Sequence, residues 1–211
     1  MLDGDRVRRT GLWVFQGTMD KASPQAETGD ILIRTAEPGD LAELFRIENV
    51  AFAGDRISRR SFRRFLESPR ARVLVAIGSD GLVGYALLLL RQATALARLY
   101  SLAVDPACRG QGLGAKLLEA SEVAAFDSDR IVLRLEVRAD NKAAIALYQR
   151  SGYRMLGRVE AYYEDGCAAL RMEKLLHGPV LGTGNAPYYS QTTEFTCGPA
   201  CALMAARHFD R

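Results

Sequence analysis

From residue 31 onward the chain switches between two hydrophobic periods. Ile31, Leu32 and Ile33 open an extended run that ends in Pro38-Gly39-Asp40, a turn whose aspartate is placed to cap a helix. Leu41, Leu44, Phe45, Ile47 and Val50 then recur at helical spacing. A second helix is predicted over "SRRSFRRFLES", with Phe62, Phe65 and Leu66 on one face and Arg59, Arg60, Arg63 and Arg64 on the other. Short continuous apolar runs follow. "RVLVAIG" and "LVGYALLLLR" read as two strands joined at Ser79-Asp80-Gly81, where Asp-Gly is a hairpin signal. "ARLYSLAV" is a third strand, leading through a glycine loop into a helix that ends near Phe126. "IVLRLEV" is a further strand, and "NKAAIALYQRSG" a helix capped by Asp140 or Asn141 and ended by Gly152. "YRMLGRVEAYYEDGCAALRMEKL" reads as two strands around Glu164-Asp165-Gly166. The order β-α-α-β-β-β-α-β-α-β-β predicts an α/β domain, a mixed sheet with helices on its faces.

The two ends lack this pattern. Residues 1–29 carry Gly, Asp, Ser, Pro and Thr without periodicity and are expected to form a disordered leader, with Met19 as an alternative start. Residues 176–195 are rich in Gly, Pro, Thr and Tyr and read as a linker. The expected organisation is a leader over 1–29, one folded domain over 30–175, and a linker with a further segment over 176–211. The longest apolar run, "VGYALLLL", is too short to span a membrane, and "GLWVF" is too short for a signal peptide. The four cysteines show no framework spacing, so reduced thiols and a cytoplasmic location are expected. A net charge of +3 does not argue for nucleic acid. The seven arginines from Arg56 to Arg72 read either as a solvated helix face or as a surface for an acidic or ribosomal partner.

The candidate chemistry centres on "SLAVDPACRGQGLGAKLLEA". Three glycines, Gly110, Gly112 and Gly114, strip side chains from a loop just where a helix begins. Glycine lets backbone approach a ligand closely, and free helix N–H groups attract phosphate. The loop therefore reads as a cradle for a phosphate or pyrophosphate, against the plainer reading of a strand–helix turn without a ligand. "GQGLGA" also fits the dinucleotide fingerprint G-x-G-x-x-G/A, with Glu136 as an acid about 20 residues on. The strands that precede the loop and the hairpin that closes the domain do not suit a dinucleotide fold.

"LAVDPACRGQGLGAKLLE" resembles the coenzyme A loop of the GNAT acetyltransferases, Arg/Gln-x-x-Gly-x-Gly/Ala, with Arg109, Gly112 and Gly114 at its fixed positions. "LRLEVRADNKAAIALYQRSGYRMLGRVEAYYEDG" resembles the RimI type, the ribosomal-protein alanine N-acetyltransferases, and the likeness covers about residues 31–175. The resemblance implies the GNAT fold, α/β with a mixed, mostly antiparallel central sheet flanked by helices. It implies acetyl-coenzyme A as cosubstrate, its pyrophosphate held by Arg109, Gly110, Gln111, Gly112, Leu113, Gly114 and Ala115. The backbone of Leu102, Ala103 and Val104 would splay from the next strand, pair with the pantetheine arm and polarise the acetyl carbonyl. Asn141 matches a coenzyme-contacting asparagine, or is a plain helix cap.

Glu136 matches the general base of the RimI type, acting through water; the alternative is a strand carboxylate paired with Arg134 or Arg138 on its own face. Tyr148 matches the general acid that protonates the coenzyme sulfur; the alternative is a core aromatic beside Ile145. The acceptor would lie between "AFAGDRISRR" and "AYYEDG". Tyr162 and Tyr163 could line that groove, one of them turned to packing because strand neighbours point to opposite faces. The implied acceptor is a protein or peptide N-terminal α-amine, ribosomal proteins included. A lysine, a small amine, or an idle acyl-coenzyme A adaptor are the alternatives. Cys167 stands before Ala168 where the RimI pattern carries an acid, which leaves acceptor preference open. No metal, membrane or direct nucleic-acid contact is expected, and the oligomeric state is open.

"YYSQTTEFTCGPACALMAA" resembles the start of papain-like peptidases related to bacteriocin-processing enzymes. Cys197 matches their nucleophile and Gln191 their oxyanion donor, in what reads as a truncated second domain. Such a peptidase needs a histidine beside the thiol. His208 follows eleven residues later, roughly 16 Å away along a helix, and His177 precedes the cysteine. No peptidase activity is expected of this chain, nor a metal site at Cys197 and Cys201.

Overall fold

In the computed structural model the described residues are 31–176 and the backbone of 12–14. His177, Gln191, Cys197, Cys201 and His208 lie outside them, as does the expected linker. Eight strands form one sheet in the order β1-β2-β3-β4-β5-β6-β8-β7. They are β1 (Leu12–Val14), β2 (Leu32–Thr35), β3 (Ala71–Gly78), β4 (Gly81–Leu90), β5 (Leu96–Val104), β6 (Val132–Arg138), β7 (Arg154–Val159) and β8 (Ala169–Leu175). β5 and β6 run parallel and every other pair is antiparallel. The helices are α1 (Leu41–Ala51), α2 (Arg59–Glu67), α3 (Leu113–Asp127) and α4 (Lys142–Arg150). The predicted order of elements and the mixed, mostly antiparallel sheet are both present.

β3 and β4 are buried on both faces, which explains their continuous apolar runs. On one face Leu44 and Ile47 of α1 and Phe62 of α2 pack on Val73, Val75, Tyr85 and Leu87. On the other, Leu113, Leu117 and Leu118 of α3 and Tyr148 of α4 pack on Leu88, Leu99, Leu133, Leu135 and Met172. Gly84 is needed where α3 crosses β4: a Cβ there would stand 3.1 Å from the Leu117 side chain of α3 and 2.8 Å from the Ala103 carbonyl oxygen of β5. Gly152 ends α4 at a φ of +85°, with its own N–H donating to Gln149 O and that of Tyr153 to Tyr148 O. This is the double closure expected of a C-terminal glycine.

Several expectations shift. Leu12–Val14, inside the segment expected to be a disordered leader, pairs with β2 as an edge strand. Asp40 does not cap α1 with its side chain. Its carboxylate instead accepts from the Glu37 N–H and from both terminal nitrogens of Arg34, at 2.7–2.8 Å. Val50 is exposed, and the third buried position of α1, after Leu44 and Ile47, belongs to Glu48. Leu176, assigned to the linker, is buried in the core and donates its N–H to Ile131 O.

Candidate active site

β5 and β6 pair only from Leu96↔Val132 to Leu99↔Leu135. Beyond that point β5 stays with β4 while β6 stays with β8, so the two parallel strands part and a cleft opens between them. A bulge marks the parting: Leu88 pairs with Leu99 but Leu87 with Ser101, leaving Tyr100 as an extra residue. Leu102, Ala103 and Val104 form the β5 wall of the cleft, and their side chains pack in the two cores. This is the splay the resemblance implies, reached here from strand register.

The glycine loop stands at the end of that wall. Gly110 and Gly112 adopt φ of +81° and +75°, and a Cβ on either would meet nothing within 4 Å. Their conformation demands glycine, and the space beside them is open. Leu113 and Gly114 open α3 and have no intrahelical acceptor for their N–H groups, while Ala115 and Lys116 close onto Gly112 O. Gln111 is exposed. Gly114 faces inward, where a Cβ would touch Leu147 at 3.4 Å. Arg109 is exposed and makes only long contacts, to Val104 O at 3.4 Å and Ala51 O at 3.5 Å. Small conformers, free amides and an available guanidinium fit a pyrophosphate. Asn141 caps α4, its Oδ1 accepting the Ala144 N–H at 3.1 Å.

Glu136 lies on β6 with 8% of its side chain exposed, facing the side of the sheet that carries α1 and α2. Its partners are neither Arg134 nor Arg138. Arg98 of β5 donates from Nε to Oε2 at 2.8 Å, and Arg171 of β8 from Nε to Oε1 at 3.0 Å. Arg134 is taken by Glu173, and Arg138 by Asp140 and Asp165. Sequence proximity misled here because cross-strand register, not spacing along β6, decides which charges meet. Each Glu136 oxygen accepts one bond and keeps a second lone-pair site for a substrate or water.

Tyr148 is buried, its ring edge-on to Tyr153 at 5.7 Å. Burial, with Tyr163 nearby, pushes its phenol above the ordinary range, so the hydroxyl holds its proton at neutral pH. Tyr162 and Tyr163 belong to the loop between β7 and β8, so strand alternation does not apply to them. Their rings meet edge-to-face at 5.1 Å. The Tyr162 hydroxyl accepts from Arg98 Nη2, and Tyr163 lies under the Arg138 guanidinium, with burial raising its phenol to about 12.

Sequence reasoning missed a buried carboxylate. Glu48 is 1% exposed; its Oε1 accepts the Ile57 N–H at 2.6 Å and its Oε2 accepts the Tyr85 hydroxyl. Tyr85 in turn meets Ser101 at 2.8 Å, one residue past the β5 bulge. Desolvation raises the Glu48 carboxyl above its usual range. The signal was present in the chain: Glu48 falls four residues after Leu44, on the apolar stripe.

Among the described residues no cluster of His, Cys, Asp and Glu is placed to hold a metal, and no helix is long and apolar enough to cross a membrane. Residues 41–176 match the Acetyltransferase (GNAT) domain family, and residues 186–211 match a Peptidase C39 like family. The chain is 33% identical over 153 residues to the N-alpha-acetyltransferase RimI of Mycobacterium tuberculosis, covering 71% of this chain and 95% of that protein. It is 35% identical over 149 residues to an uncharacterised Mycobacterium leprae protein, of which the match spans 38%, and 65% of this chain. The crystal structure of the ribosomal-protein-S18-alanine N-acetyltransferase from Escherichia coli superposes with a TM-score of 0.64 at 29% identity, covering 75% of this chain and 99% of that one.

Proposed function

The chain belongs to the GNAT N-acetyltransferases, which use acetyl-coenzyme A, and from that premise we propose that its acceptor is a protein N-terminal α-amine, with Glu136 as general base and Tyr148 as general acid. The observation that carries this reading is the placement of a nearly buried carboxylate, Glu136, on the wall where β5 and β6 part. The relatives' names support the acceptor class: the M. tuberculosis protein is an N-alpha-acetyltransferase, and the E. coli enzyme acts on a ribosomal-protein alanine. Ribosomal N-termini are therefore the first acceptors to try.

Acetyl-coenzyme A supplies the thioester whose carbonyl carbon the amine attacks. Arg109 and the loop from Gly110 through Gln111 and Gly112 to Ala115 hold the pyrophosphate, with the free amides of Leu113 and Gly114 turned to it at the helix start. The backbone of Leu102, Ala103 and Val104 lies along the pantetheine arm and donates to the acetyl oxygen. An α-amine has a reference pKa near ~8, so a carboxylate that takes its proton, directly or through one water, is base enough. Glu136 receives that proton as the new C–N bond forms. Tyr148 gives its phenolic proton to the sulfur as the C–S bond breaks, and burial keeps that proton in place until then. Asn141 orients α4 as its cap.

The test is a library of peptides with free N-termini, incubated with acetyl-coenzyme A and read by mass spectrometry. Acetyl groups on the α-nitrogen are expected. Acetylation confined to lysine side chains or to small amines overturns the acceptor reading, and coenzyme binding without any turnover overturns the enzymatic roles of both residues.

A further inference from the structure

We propose that Arg98 and Arg171 select acceptors with a carboxylate close to the α-amine, so that protein N-termini with Asp or Glu at their first or second residue are preferred; this rests on the N-terminal reading above.

α1 and α2 cover the sheet from β2 to β5. From the first half of β5 outward, the same face presents charged side chains: Arg98, Arg134, Glu136, Arg138, Arg171 and Glu173. Arg134, Arg138 and Glu173 are matched. Arg134 pairs with Glu173 at 2.9 Å, and Arg138 is held between Asp140 and Asp165. On the facing loop, the Asp55 carboxylate receives the Glu164 N–H at 3.3 Å.

The cluster around Glu136 is not matched. Two guanidiniums share one carboxylate, which leaves a positive charge over. Both arginines use Nε for Glu136, and Arg98 also donates from Nη2 to the Tyr162 hydroxyl. Among the described residues nothing accepts from either terminal nitrogen of Arg171. Arg98 and Arg171 are 37% and 41% exposed while the carboxylate between them is 8% exposed. The free donors therefore line the approach to the base.

An α-amine with a reference pKa near ~8 arrives mostly as an ammonium at neutral pH. At Glu136 it meets one attractive charge and two repulsive ones. A carboxylate on the acceptor removes this conflict, and the fork of Arg171 offers two parallel donors to it. Consecutive Cα atoms stand about 3.8 Å apart, so an acid on the first or second residue can reach Arg171 while the amine is at Glu136. A lysine or arginine at the same place adds a third cation and is disfavoured.

The test compares kcat/KM for peptides that begin with Ala and carry Asp, Glu, Ala or Lys second, beside a peptide with a blocked N-terminus and a free lysine. Wild type is expected to favour Asp or Glu over Lys by about 10-fold or more, the scale of one charge-assisted contact. In Arg171→Gln that ratio should fall toward 1, in Arg171→Glu it should reverse, and in Arg171→Lys its direction should persist. Melting temperature and acetyl-coenzyme A affinity are followed for each variant. The wild-type comparison needs no substitution, so the proposal stays exposed even if a variant fails to fold. α-Amine acetylation without an acidic preference, or a preference untouched in a folded Arg171→Gln, overturns the selectivity alone. Acetylation of the blocked peptide's lysine only overturns the N-terminal reading and the selectivity with it.

Discussion

The backbone N–H of Glu164 donates to the Asp55 carboxylate at 3.3 Å, joining the α1–α2 loop to the β7–β8 loop. These are the two segments between which the acceptor is proposed to lie. Asp55 sits at a φ of +50°, where Asp and Asn are the tolerated side chains after glycine. Asp55→Asn keeps the accepting oxygen and the backbone preference, and should leave acceptor KM within about 2-fold of wild type. Asp55→Ala loses both and should raise acceptor KM by roughly 3- to 10-fold, the scale of one hydrogen bond of about 1 kcal/mol, with acetyl-coenzyme A affinity unchanged. Steady-state kinetics with each substrate varied in turn check this. Equal KM values for the two variants would remove the contact from acceptor binding.

Gly112 adopts a φ of +75° beside open space, a conformation that glycine takes without strain and a side chain would not. Gly112→Asp puts a side chain and a negative charge where the pyrophosphate is proposed to sit. Acetyl-coenzyme A binding by calorimetry should be lost while the circular-dichroism spectrum is retained. Undiminished affinity would show that the loop does not hold the anion.

The acid and base roles separate by pH. Tyr148→Phe keeps the buried ring and removes the proton, so kcat should fall by roughly 10²- to 10⁴-fold with little change in coenzyme affinity. Glu136→Gln should lose most near neutral pH and recover in part as pH rises past ~8, where the α-amine deprotonates by itself. A pH–rate profile parallel to wild type would take Glu136 out of the proton transfer.

Much of this site could be read from the chain because it is built from local signals. The glycine loop, the Asn141 cap and the Gly152 stop each depend on a few neighbouring residues, and each stands where the sequence puts it. The Arg98–Glu136–Arg171 cluster could not be read this way. It requires the parallel register of β5 on β6 and the antiparallel register of β8 on β6, which bring together positions 38 and 35 residues apart. The sequence around Tyr162 and Tyr163 suggests strand alternation, but β7 ends at Val159. Their backbone instead folds onto Cys167, whose carbonyl oxygen accepts both N–H groups at 3.1 Å.

Glu48 gives a pH dependence of stability. Its carboxyl titrates higher in the folded chain than in the unfolded one, because desolvation outweighs the bonds from Ile57 and Tyr85. A raised folded value means that the folded state holds the proton more tightly, so this contribution is present at low pH and lost as pH rises through the folded value. The melting temperature of wild type relative to Glu48→Gln should therefore improve as pH falls toward the ordinary carboxylate value of ~4.3. A difference that does not move with pH would contradict it. Glu48→Ala leaves the Ile57 N–H without its acceptor and should cost about 1–3 kcal/mol, more toward low pH. Because Tyr85 links Glu48 to Ser101 beside the β5 bulge, that variant should also lose turnover beyond what its stability explains.

The last prediction concerns the end of the acetyltransferase unit. The compact unit closes at Leu176, whose side chain is 5% exposed and whose N–H donates to Ile131 O at 2.8 Å. A chain ending at Leu176 should keep acetyl transfer and melt close to the full chain. A chain ending at Lys174 gives up Leu175, Leu176 and the bond to Ile131, and burying one leucine is worth about 1.5–3 kcal/mol, so it should melt several degrees lower. Loss of activity on ending at Leu176 would show that residues 177–211 serve the acetyltransferase. Those residues match a Peptidase C39 like family over 186–211 and carry Cys197 and Gln191, but a thiol needs an imidazole beside it to act as a peptidase. His208 is eleven residues past Cys197, roughly 16 Å along a helix if one forms, which is beyond the reach of its ring. The 211-residue chain should therefore cleave no peptide, although Cys197 can still react with an alkylating reagent. Cleavage that disappears in Cys197→Ala would mean that a histidine, His177 or His208, does reach the thiol.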